Sequence, residues 1–140
     1  MLERLDEVPW DTLEHAYGAA SDVPGLLRDL AAGTDRFDVL FGNLYHQGTV
    51  YPATVPAVPF LVALAGGLED PALVAGALAW LAHASTGVGY QQVHGWIGGS
   101  ADLRADLASE GAVVTAVHAA VCAGLPVAVD RLAHPVVAPA

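Results

Sequence analysis

The sequence predicts an all-α chain of stacked helix pairs, and three observations carry that expectation. Prolines, glycines and capping residues cut the chain into eight short apolar segments of helical periodicity, none of which reads as a convincing strand. Three segments repeat an apolar residue, then proline, then a helical apolar stripe: Val23 to Ala31, Val58 to Ala65 and Leu125 to Ala133. Pro24 and Pro59 lie 35 residues apart and Pro59 and Pro126 lie 67 apart, which fits one and two lengths of a helical repeat. A helix pair of that size cannot bury its faces alone, whereas stacked pairs share one core.

Taken in order, Pro9 and Asp11 open a first helix over 10–17, with Trp10, Leu13 and Ala16 on one side and Gly18 as its stop. Ser21 and Asp22 cap a second over 22–32, with Pro24 in its first turn and Gly33 behind it. Thr34 or Asp35 starts a third over 35–46, through Phe37, Leu40, Phe41 and Leu44. Pro56 and Pro59 fit only the first turn of a fourth over 56–65, because a deeper proline clashes with the preceding turn. Asp70-Pro71 starts a fifth over 71–85, and Ser100 or Asp102 a sixth over 101–109. Gly111 to Ala123 forms a seventh, and Pro126 opens an eighth ending at Ala133. Paired in order, these make four antiparallel pairs in a single domain, 1–140.

Leu13-Glu14-His15, Leu44-Tyr45-His46 and Leu81-Ala82-His83 echo one another near predicted helix ends. The apolar-Pro-x-Leu second helices and Ala-rich first helices resemble HEAT repeats. The segment from Leu44-Tyr45-His46-Gln47-Gly48-Thr49 to Pro59-Phe60-Leu61 resembles the start of a poorly characterised branch of bacterial HEAT-repeat proteins. That resemblance implies a HEAT-like α-solenoid, a right-handed superhelix of about four helix pairs serving as a non-catalytic protein-binding scaffold. The chain is then either a single HEAT-like domain by itself or the N-terminal part of a longer array. Two features depart from the family pattern: a Gly-rich insertion interrupts the third pair, and no Asp/Arg ladder runs through the units.

Composition narrows the function. Hydrophobic residues make up 54% against 14% charged, so a disordered chain is excluded. Fifteen acidic residues against five arginines and no lysine give a formal charge of −10, with no basic cluster to neutralise phosphates; nucleic acid is therefore not an expected partner. The acidic N-terminus is the reverse of a signal peptide, and one cysteine offers no disulfide, so a cytoplasmic protein is expected. Residues 39–68, 71–101 and 111–129 carry no Asp, Glu, Lys or Arg, yet prolines, glycines and histidines interrupt each, and no charge asymmetry would orient a span. No membrane partner is expected.

Chemistry-bearing signatures are sparse. The histidines form no HxxxH or HExxH pair, and His15, His46 and His83 read as caps of helix C-termini, so no metal and no cofactor are expected. Cys122 reads as a small buried hydrophobe, and no serine lies in a GxSxG elbow, so no catalytic residue is assigned. A lyase-like or metal-assisted enzyme using His46, His83 and His94 is the rival from another class.

Two connections hold the candidate partner-binding residues. One is the uncharged stretch 87–99, with Tyr90, Gln91, Gln92, His94 and Trp96 on a glycine-flexible frame; it is either a recognition loop or a packed connection. The other holds Tyr45, His46, Gln47, Thr49 and Tyr51. Asp6, Glu7, Asp11 and Glu14 form a negative field suited to another protein with a basic patch. Within the binding class, an immunity protein that neutralises a basic toxin is the alternative. The apolar C-terminal pair, 111–133, predicts an end covered by another copy, by a partner or by further repeats, with self-association expected of the isolated 140 residues.

Overall fold

The structure is a computed structural model that describes residues 2–94 and 103–134. It is mostly helical, as expected, but its elements are not four separate helix pairs. After two 3₁₀ turns, Leu5–Glu7 and Trp10–Thr12, come β1 (Glu14–His15) and β2 (Gly18–Ala19), α1 (Val23–Ala31) and α2 (Phe37–Leu44). β3 (Tyr45–His46), β4 (Thr49–Val50), α3 (Thr54–Gly67), α4 (Pro71–Ala84), α5 (Tyr90–His94) and α6 (Leu103–Ala133) follow. The three Pro-type segments all lie in helices, in α1, α3 and α6.

The expected helix over 10–17 is overturned. Trp10 buries its ring and donates its indole N–H to Leu5 O at 2.8 Å, which fixes a 3₁₀ turn. The chain then folds into an antiparallel hairpin pairing Glu14 with Ala19 and His15 with Gly18, where Gly18 takes φ +117°, a conformation open to glycine. Buried His15 explains why this competes with a helix. Its Nδ1 accepts the Tyr17 N–H at 3.0 Å and its Nε2 faces Asp22 Oδ1 at 3.0 Å, while Asn43 donates to Asp22 Oδ2 at 2.7 Å. One polar network thereby ties the hairpin to the start of α1 and to α2.

α1 matches its Pro24 and Gly33 signals, but the expected Asp22 cap is not made, because the Asp22 oxygens face His15 and Asn43 instead; α4 matches its signals throughout. Asp70 accepts from the Ala72 N–H at 2.8 Å, with Pro71 in the first turn of α4, the expected cap. α3 starts two residues earlier than expected, because the Thr54 hydroxyl accepts from the Tyr51 N–H and donates to Leu44 O. Pro59 therefore lies inside α3 rather than in its first turn.

The C-terminal half departs furthest. The helices expected over 101–109, 111–123 and 126–133 are one 31-residue helix, α6, which continues through Gly111 and Pro126. Packing on α3 overrides the breaker at Pro126. A Cβ at Gly124 would lie 2.3 Å from Val62 Cγ2, and one at Gly66 would lie 3.0 Å from Val127, so the two helices touch where side chains are missing. Arg131 completes the seam by donating to Ala65 O at 2.8 Å and to Leu68 O, carbonyls at the α3 C-terminus.

The core gathers Leu27, Leu30, Leu40, Leu44, Leu61, Leu64, Trp80 and Val117 at essentially zero exposure. Trp80 lies between α4 and its neighbours with no partner for its indole N–H among the described residues. By length and composition α6 could cross a membrane, and 17% of its most apolar 18-residue window is buried. Its outward face exposes Leu125, Val129 and Leu132 by 50–70%, and Cys122 is exposed there too, contrary to the expectation of a buried thiol.

Candidate binding site

The expected Tyr45–Tyr51 connection is a β-hairpin. Gln47 and Gly48 occupy its two-residue turn with φ of 51° and 88°, the pair of positive values that a type I′ turn requires. The hairpin aims β4 at the segment after α4. There, Val88 donates to Gly48 O at 3.0 Å and accepts from the Val50 N–H at 3.1 Å, a parallel bridge that joins the two connections.

Glycines make this approach possible. A Cβ at Gly87 would lie 2.3 Å from Val50 Cγ1, and one at Gly89 would lie 2.5 Å from Glu110 Oε2. His118 of α6 holds the same segment through Gly87 O at 3.0 Å. Glu110 accepts the Gln91 N–H at 3.0 Å, linking α5 to α6.

Between β4, α5 and the first half of α6 lies a cavity of about 160 Å³. Residues 49–52, Tyr90, Ser109, Glu110 and Val113 line it. The Tyr90 ring packs on His94 with centroids 4.3 Å apart. Burial, with smaller contributions from Tyr90 and Tyr17, raises the Tyr51 hydroxyl above the ordinary tyrosine value, so it stays protonated and able to donate at neutral pH. Thr49 is 1% exposed, and its hydroxyl has no partner among the described residues; Gln91 Oε1 is likewise buried and unpartnered there. Comparison with protein-family models, curated proteins and solved structures gave no match.

The structure thus unites part of each candidate connection: Thr49 and Tyr51 with Tyr90 and, through its backbone, Gln91. Tyr45 and His46 join two further, separate ring clusters. Tyr17 packs on His46 at 5.4 Å, and His83 packs on Phe41 and Tyr45 at 5.3 and 5.5 Å. The expected capping role for His15 and His46 is overturned because both lie in strands, whereas His83 lies in the last turn of α4, as expected, and packs on rings there. Gln47 is exposed at the hairpin tip and Gln92 on α5, whereas Trp96 lies outside the described residues. The segment 87–94 is not a simple loop, since 90–94 form α5.

Sequence reasoning misses Ser109, the last residue of an expected helix, and Glu110, which falls in the break between two expected helices. One signal was present: Gly87-Val88-Gly89 has the spacing of a segment that lets a neighbour come close on one side. Among the described residues, no group of three or more His, Cys, Asp or Glu could hold a metal ion. The His15–Asp22 pair superficially suits base catalysis, yet both ring nitrogens are engaged and the residue is 8% exposed, so no nitrogen is left for a substrate. A larger groove of about 440 Å³ lies near Val8, Pro56 and Phe60, with Arg4 and Glu7 at its wall pairing with each other at 2.8 Å.

Proposed function

We propose that this chain is a non-catalytic, cytoplasmic protein-binding module of the HEAT-like solenoid kind, engaging a partner with a basic patch through the joined β3–β4 and α5 segments. The single observation that carries this is the Thr49–Val88 bridge, which brings Tyr51 and Tyr90 to one cavity beside Glu110. Tyrosines held by a rigid frame supply contact area at low entropic cost, and Tyr is enriched among residues that dominate binding energy. The charge of −10 favours a basic partner and speeds encounter with it.

The solenoid reading rests on the three Pro-type helical segments and on α3 packing against both α4 and α6. α6 is read as a packed helix rather than a membrane span, because its polar groups are used inside the protein: Glu110 on α5, His118 on Gly87 and Arg131 on α3. Its outward apolar residues then support self-association.

Affinity capture with the wild-type chain and with the Tyr51→Ala/Tyr90→Ala variant tests the reading. Proteins retained by the wild type should fall by about tenfold or more with the variant, at an unchanged melting temperature. Equal retention of the same proteins would refute it. The acidic charge also favours an immunity role, in which co-expression would protect cells from the captured partner.

A further inference from the structure

We propose that the cavity between β4, α5 and α6 binds a single alkylammonium group, supplied by a lysine side chain of the partner or by a small free amine. The inference rests on the reading of these segments as a recognition surface and names what that surface recognises.

Two features of the cavity converge on this chemistry. Glu110 supplies negative charge in a pocket lined by no arginine. Tyr51 and Tyr90 line the same pocket, and a cation within about 6 Å of a tyrosine ring is attracted to it.

Size and geometry favour ammonium over guanidinium. About 160 Å³ is the volume class that accommodates benzene, enough for a butyl chain and its charged end. Glu110 Oε2 already accepts from Gln91, so a compact point charge suits the remaining lone pairs better than a two-pronged fork. Gly89 is what lets the carboxylate take this position, since any side chain there would occupy it.

Isothermal titration of the full chain with n-butylammonium, butan-1-ol, n-butylguanidinium and Nα-acetyl-lysine N-methylamide tests this. n-Butylammonium should bind saturably, with the alcohol and the guanidinium each weaker by about tenfold or more. Glu110→Gln should weaken n-butylammonium by a similar factor while retaining the Gln91 contact. Should that variant fail to fold, Ser109→Lys provides the second check, because a tethered ammonium would occupy the cavity and abolish binding. An N-methylamide that binds at least as tightly as n-butylammonium identifies a lysine side chain as the source, and one that binds less tightly identifies a free amine. Absence of saturable binding, equal binding of the alcohol or guanidinium, or no effect of either substitution would overturn the inference. If the ammonium fails but capture still depends on Tyr51 and Tyr90, the protein-binding reading survives alone. If the ammonium binds while capture is indifferent to those tyrosines, that reading fails and the cavity assignment stands.

Discussion

Gly87→Ala probes the contact on which the site depends. Gly87 has no positive φ, so alanine fits its backbone, and any penalty is steric. The added Cβ would lie 2.3 Å from Val50 Cγ1 and 3.2 Å from Ala84 O, the second being backbone that cannot rotate away. Overpacking of this kind costs about 1–3 kcal/mol. It is offset by roughly 0.4–1 kcal/mol from a less flexible unfolded chain. A net loss of about 1–2 kcal/mol is expected from denaturant unfolding. The segment would relieve the clash by lifting away from β4, so the Val50 and Val88 amides, which share the bridge, should exchange faster with solvent by about tenfold. Val50→Ala removes the atom that is struck, so the two substitutions together should cost less than the sum of their separate effects. Unchanged stability with unchanged protection at both amides would refute the steric argument and the bridge with it.

Three further outcomes are expected. Because Tyr51 holds its proton more tightly when folded, its contribution to stability is constant below pH 10 and is lost as pH rises above the unfolded tyrosine value; ultraviolet titration should show a late phenolate component that Tyr51→Phe removes. Asp22→Ala strands the buried His15 Nε2–H and Asn43 amide and should cost about 1–3 kcal/mol in denaturant unfolding, whereas a change under about 0.5 kcal/mol would mean the network is not a structural tie. Sedimentation should show self-association that Val129→Glu reduces, since Val129 is 61% exposed on the apolar face of α6, and a clean monomer at high concentration would refute it.

What the sequence revealed depended on how local the deciding interaction was. α4 was legible because Asp70 and Pro71 begin it within two residues, and α1 because Pro24 and Gly33 bracket it. The first hairpin was not, since its strands are two residues long, too short for alternation to register, and His15 finds Asp22 only after the chain has turned. Pro126 is a breaker in isolation, yet α6 runs through it because Gly124 meets Val62 and Arg131 meets the end of α3, contacts more than sixty residues apart. In the site, Tyr51 and Tyr90 were legible as exposed chemistry on two connections, but their meeting was not. Glu110 was invisible for the same reason: nothing near it in sequence marks the approach that Gly89 permits.

The most direct test of the central claim is hydrogen-exchange mass spectrometry of the chain alone and with the partner recovered by capture. Joint protection of Gly48 to Tyr51, Val88 to His94 and Ser109 to Val113 is expected, because these three segments enclose one cavity. Protection confined to the outward face of α6, or to the groove of Val8, Pro56 and Phe60, would contradict it.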